Sequence, residues 1–134
     1  MMSAVVPIKG ATQFTINLDP GVWIFDKRKI DLDTYIRTGE AKQVPEREIS
    51  GSYAIPFEPF LNHAEPLPGA NKVVCHLKNS QPVVLSLAEA KKCYLAFALN
   101  GKPLTEDGPL HLYFGPGRHQ DEPLKNIVCF EVKE

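Results

Sequence analysis

The sequence predicts an α+β domain built on a mixed, mainly antiparallel sheet with one or two short helices. Three observations carry this. Twelve prolines, clustered over residues 45–68 and 103–123, exclude long helices there, because proline lacks an N–H and fixes φ. Short β-rich runs recur between turn residues, as at 12–18, 71–78 and 83–87. The stretch 94–117, YLAFALNGKPLTEDGPLHLYFGPG, carries two apolar runs punctuated by Asn-Gly and Gly-Pro.

Taken in order, residues 12–18 (TQFTINL) alternate. Phe14, Ile16 and Leu18 share one face, Thr15 and Asn17 the other, which predicts a strand. Asp19-Pro20-Gly21 is turn chemistry. Residues 22–25 (VWIF) read as a short buried strand that ends in the charged DKRK. Residues 31–39 (DLDTYIRTG) suit a short helix, capped by Asp31 or Asp33 and stopped by Gly39. The proline-rich middle contains Tyr53, Phe57 and Phe60, aromatics that favour burial, so it reads as a long ordered connection rather than a linker.

Strands are expected at 71–78 and 83–87, with NSQP turning between them. Ser86-Leu-Ala-Glu89 fits a capping box and opens a short helix through LAEAKK. The apolar run 93–99 is a strand, and Asn100-Gly101 tolerates positive φ and makes a tight turn. A further strand begins at Pro109 with Leu110, Leu112 and Phe114 on one face. Residues 126–133 (NIVCFEVK) close the chain as a strand whose alternation looks edge-like.

Bulk properties exclude several functions. The 134 residues are 43% hydrophobic and 23% charged, the balance of one ordinary globular domain spanning 1–134. A net charge of −1 supplies no surplus of cations for coating nucleic acid or binding anionic lipid. No apolar run approaches the ~20 residues that span a bilayer, and the N-terminal stretch lacks the pattern of a secretory signal. The expected location is cytoplasmic. Three widely spaced cysteines, Cys75, Cys93 and Cys129, read as reduced, buried thiols rather than a disulfide framework.

The latter part of the chain, residues 73–134, resembles the oxidoreductase molybdopterin-binding domain, the sulfite-oxidase-like fold. The matching residues are Leu95, Ala96, Phe97, Asn100, Gly101, Pro103 and Leu104, then Gly108, Pro109, Leu112, Pro116, Gly117 and Lys125. Residues 1–70 carry no family signature and hold unplaced strands and the proline-rich connection. The resemblance implies the scaffold. It also implies, for a family enzyme, a molybdenum-ligating cysteine and a cationic clamp for the cofactor's phosphate. Here the segment CHLKN, Cys75 to Asn79, lies too close to Asn100 to be the metal-ligand segment, and His111 stands where the family has an arginine. The chain therefore looks like a short relative that lacks the metal-ligand cysteine, with no cofactor expected. A second resemblance comes from LDPGVWIFD, residues 18–26, which is similar to the opening of short chains called peptidyl-prolyl isomerases.

Candidate sites follow from the residue types. A metal site would have to draw on His63, Cys75, His76, Cys93, His111, His119 and Cys129, but no close ligand pair exists, so none is expected. Cys75 and His76 are adjacent and point to opposite faces of a strand. A Cys75–His111 nucleophilic pair requires neighbouring strands. The loop 115–125, GPGRHQDEPLK, is the best candidate for anion contact, through Arg118, His119 and Lys125 together with His111. Trp23 and Phe25 are either core or an aromatic binding patch. The expected function is a non-catalytic binding or interaction module with a protein or small-molecule partner. The alternative is an enzyme: either a residual pterin-cofactor binder acting as an oxidoreductase, or a peptidyl-prolyl cis-trans isomerase.

Overall fold

The computed structural model describes residues 5–115 and 122–134. Its architecture is α+β, with the strands divided between two five-stranded sheets. The first sheet has the order β2-β1-β10-β5-β6, formed by Ile16–Leu18, Val6–Gly10, Ile127–Lys133, Lys72–Leu77 and Val83–Ser86. β1 and β10 run parallel and the other pairs antiparallel. β10 is thus a central strand, not the edge that its alternation suggested. A bulge between Ile127 and Cys129 shifts its phase, so Phe130 and Val132, rather than Cys129, continue the inward face set by Ile127.

The second sheet is antiparallel, in the order β3-β4-β7-β8: Ile30–Asp31, Tyr53–Pro56, Tyr94–Leu99 and Lys102–Pro103. β9, His111–Tyr113, also pairs with β7. Both sheets give their inward side chains to one core, which includes Ile8, Phe130, Val73 and Leu85 from the first and Tyr53, Ile55, Leu95 and Leu112 from the second.

The helices are short. α1, Leu32–Thr38, has Asp31 as its N-cap and Gly39 as a left-handed C-cap, as its sequence requires. It lays Leu32 and Tyr35 over Ala54, Ala96 and Tyr113 on the far face of the second sheet. The Tyr35 hydroxyl donates to the Phe114 carbonyl at 2.6 Å. α3, Leu87–Ala90, carries the full capping box of Ser86 and Glu89. α2, Glu58–Ala64, sits in the proline-rich middle directly after β4. Pro59 lies in its first turn, where an N–H has no intrahelical acceptor and proline is tolerated.

Two local expectations change. Residues 22–25 belong to a 3₁₀ helix, Pro20–Phe25, not a buried strand. Asp19 caps it by accepting from the Gly21 N–H, and Pro20 presets the first φ. With about three residues per turn, Val22 and Phe25 share an outward face while Trp23 turns into the core. The strand expected over 12–18 shrinks to Ile16–Leu18, because Thr12 and Phe14 instead bond to the end of α2 and to their own turn, leaving Phe14 exposed. The three cysteines are free and buried. No helix among the described residues is long and apolar enough to cross a membrane.

Candidate functional site

The site begins with an irregularity in β7. On one edge, Ala98 pairs with Tyr53 and Ala96 with Ala54, so Phe97 is the extra residue of a bulge. On the other edge, β8 covers Ala98 and Leu99 while β9 covers Ala96, Leu95 and Tyr94. Phe97 falls in the gap between them. A bulge of this kind re-aims a side chain and interrupts pairing.

The Asn100-Gly101 turn, both residues at positive φ, sends the chain back into β8. The segment after β8 then leaves the sheet and returns at β9. Its tightness depends on Gly108, where a Cβ would collide with the Leu104 carbonyl oxygen. The 3₁₀ helix stands opposite. Its Trp23 meets the Phe97 ring edge-on, centroids 5.7 Å apart, and stacks against Phe60 at 5.2 Å.

Between these walls lies a cleft of about 570 Å³. Its floor is Phe97. One wall is Asp19, Pro20, Gly21 and Val22; the other is Pro103, Leu104, Thr105, Gly108 and Pro109. The volume falls within the range of small-ligand sites. The described lining is apolar apart from the Asp19 carboxylate, the Thr105 hydroxyl and backbone. Val22 is 68% exposed and Phe25 63%, so an apolar rim continues outward along the 3₁₀ helix. No sequence motif marked this cleft. The only signals were the clustered Pro and Gly of DPG and GKPLTEDGP, which are separated by some eighty residues.

The residues singled out from the sequence are placed differently. Arg118 and His119 lie outside the described residues. His111 is buried at the start of β9, and its Nε2–H donates to Asp107 Oδ1 at 2.8 Å. Lys125 approaches Asp107 Oδ2 at 3.6 Å. It is brought there by the Leu112–Leu124 bridge and by the Asn126 N–H, which donates to the Asp107 carbonyl at 2.7 Å. The His111 ring and the Lys125 ammonium thus converge on a protein carboxylate. Hydrogen bonding from His111, with Lys125 nearby, holds Asp107 below the ordinary carboxylate range. Burial lowers the His111 pKa despite its bond to Asp107.

That shift has a sign in stability. His111 titrates lower in the folded chain than its ordinary value of 6.5. Below 6.5 the unfolded chain therefore takes up the proton first, and stability falls as pH drops towards the folded value. Asp107 adds a loss of the same sign at lower pH, below the ordinary carboxylate range. The melting temperature is expected to fall from pH 6.5 downward. The first part of the decline should shrink in His111→Gln, which keeps a donor for Asp107 but does not titrate. A wild-type profile flat from pH 7 to 5, with loss only among the carboxylates, would contradict this.

The Cys75–His111 pair does not form as neighbouring strands. Cys75 is on β5 of the first sheet and His111 on β9 of the second. Burial, with Cys93 and Cys129 adding to it, pushes the Cys75 thiol up to about 12, so it stays protonated near neutrality. His76 is on the opposite face from Cys75 and pairs with Glu131 at 2.9 Å. His63 is exposed on α2. Among the described residues no three or more His, Cys, Asp or Glu gather in a group able to hold a metal.

The described lining of this cleft does not fit the cofactor that the sequence resemblance implies. A phosphate-bearing pterin needs cationic or N–H-rich contacts and its metal needs a thiolate. The described cleft lining offers a carboxylate and no Lys or Arg, and the three thiols are buried away from it.

No protein-family model matches the chain, and no curated protein matches it. Among solved structures, the sulfane dehydrogenase SoxCD from Paracoccus pantotrophus is similar, with a TM-score of 0.62 and 13% identity. The alignment covers 96% of this chain and 37% of that one, so the chain spans well under half of that relative's length. At this identity the likeness is one of fold. It covers nearly the whole chain, so the N-terminal strands belong to the shared fold as much as residues 73–134, which alone carried the resemblance in sequence.

Proposed function

We propose that this protein is a non-catalytic binding module that takes a small molecule into the cleft between the 3₁₀ helix and the 103–109 segment. The observation that carries the reading is the lining itself. Phe97, Leu104, Val22 and three prolines form an apolar concavity of ligand size, continuous with the exposed Val22 and Phe25. Nothing in the described lining pairs a nucleophile with a base or presents a metal-ligand set. In the His111–Asp107 pair, next to the lining residue Gly108 along the chain, the histidine is buried within the sheet. The fold likeness prescribes no chemistry, since folds host unrelated functions.

Trp23, the chain's one tryptophan, touches the cleft floor through Phe97 and serves as the reporter. Benzyl alcohol, an uncharged aromatic probe, is expected to saturate a change in Trp23 fluorescence with roughly millimolar affinity. Val22→Arg should weaken this at least tenfold by placing a charge on the rim. Its melting temperature should move little, because exposed substitutions stay within about 0.5 kcal/mol. An unsaturable response, or equal binding by the variant, would remove the reading. Acceleration of prolyl cis–trans isomerisation above the spontaneous rate, abolished by Val22→Arg, would replace it with the isomerase reading.

A further inference from the structure

We infer that the cleft selects a small organic cation, an ammonium group carried on an apolar body, with Asp19 as the counter-charge; this rests on the binding function proposed above. The carboxylate is placed for it. Asp19 Oδ1 accepts the Gly21 N–H at 3.2 Å, which fixes the side chain at the start of the 3₁₀ helix. Oδ2 has no protein partner among the described residues. The neighbouring carboxylates are used differently. Asp26 is gripped by Arg28 through two hydrogen bonds of 3.0 and 2.8 Å, and Asp107 by His111 and Lys125.

Asp19 is thus a fixed carboxylate on an apolar cleft without a cation of the protein's own. Along the chain next to the lining stand Lys102, Glu106 and Asp107; Asp107 is held by Lys125 and His111, and the exposed Lys102 and Glu106 offset each other, so Asp19 is the one charged side chain of the described lining. An anionic ligand would meet that carboxylate with no Lys or Arg among the described lining residues. A neutral apolar ligand would leave its free oxygen facing apolar surface. An ammonium satisfies the oxygen, and the Thr105 hydroxyl offers a further acceptor. The apolar body then lies on Phe97, Leu104 and the prolines, with room for a molecule rather than a helix.

The test is a titration of benzylammonium, benzyl alcohol and benzoate into the full chain and into Asp19→Asn, followed by Trp23 fluorescence. Asparagine keeps an oxygen for the Gly21 N–H, so the cap survives. Benzylammonium is expected to bind about tenfold tighter than benzyl alcohol, the increment of a hydrogen bond to a charged group, with benzoate weakest. Asp19→Asn should bring the ammonium down to the alcohol and leave the alcohol unchanged. In wild type, raising salt to 1 M should weaken the ammonium alone, a readout that holds even if the variant folds poorly. Equal binding of ammonium and alcohol, or a preference that survives in Asp19→Asn, overturns the cation inference and leaves the binding module standing. Failure of all three probes overturns both.

Discussion

Lys29→Met is expected to destabilise the protein by about 3–5 kcal/mol, because it removes three hydrogen bonds from a charged donor, each worth about 1.5–3 kcal/mol before relaxation. Lys29 is fully buried. Its ammonium donates to the carbonyls of Ile24 at 2.7 Å, Glu46 at 3.2 Å and Glu48, one acceptor for each N–H. It also sits 4.5 Å from the centroid of the Tyr53 ring. Burial lowers its pKa, and Glu48 and Glu46 oppose that. The residue therefore ties the end of the 3₁₀ helix and the 46–48 segment to β4. Methionine matches its length but makes none of these three bonds, and it leaves the carbonyls of Ile24, Glu46 and Glu48 without their donor. Chemical denaturation should show the fall in midpoint, while Lys72→Met, at an exposed position, should change stability by less than about 0.5 kcal/mol. Equal stability of Lys29→Met and wild type would mean that the three carbonyls find other partners and that the clamp contributes nothing.

Phe130→Ala is expected to lose a similar amount, about 3–5 kcal/mol. Phe130 lies inward on β10, the middle strand of the first sheet, and is fully buried. Its ring packs on Phe57 with centroids 4.6 Å apart. Phe57 precedes α2 and follows β4 of the second sheet, so this pair joins the two sheets through the core. Phe57→Ala should be costly too, and the double variant should lose less than the sum by about 0.5–1.5 kcal/mol, the coupling of an aromatic pair. Phe25→Ala, on the exposed face of the 3₁₀ helix, should hardly change stability. Strict additivity of the two core variants would show that the sheets are not coupled through these rings.

The sequence was legible where a local rule decides the backbone. Asp31 and Gly39 bound α1 as capping chemistry requires, Ser86 and Glu89 build their capping box, and Asn100-Gly101 turns β7 back on β8. It misled where an apolar run has more than one reading. Residues 22–25 are apolar throughout, but Pro20 and the Asp19 cap favour a 3₁₀ turn that buries only Trp23. Prolines concealed β4 and α2, because a proline in a first helical turn breaks nothing. The division into two sheets was not legible, since alternation marks an inward face but not the partner strand. The cleft was hidden for the same reason. It depends on a bulge at Phe97 and on the gap between β8 and β9, both properties of pairing register rather than of any segment. Of the residues first suspected, His111 and Lys125 come together on the Asp107 carboxylate, and Arg118 and His119 lie outside the described residues.

The central claim is that ligand enters between the 3₁₀ helix and the 103–109 segment. It is tested most directly by mapping amide chemical shifts of the ¹⁵N-labelled protein during titration with benzylammonium. The account predicts saturating shifts at Gly21, Val22, Phe97, Leu104, Thr105 and Gly108, with the amides of β5 and β6 unmoved. Saturating shifts that cluster instead on the first sheet, or none at all, would contradict it.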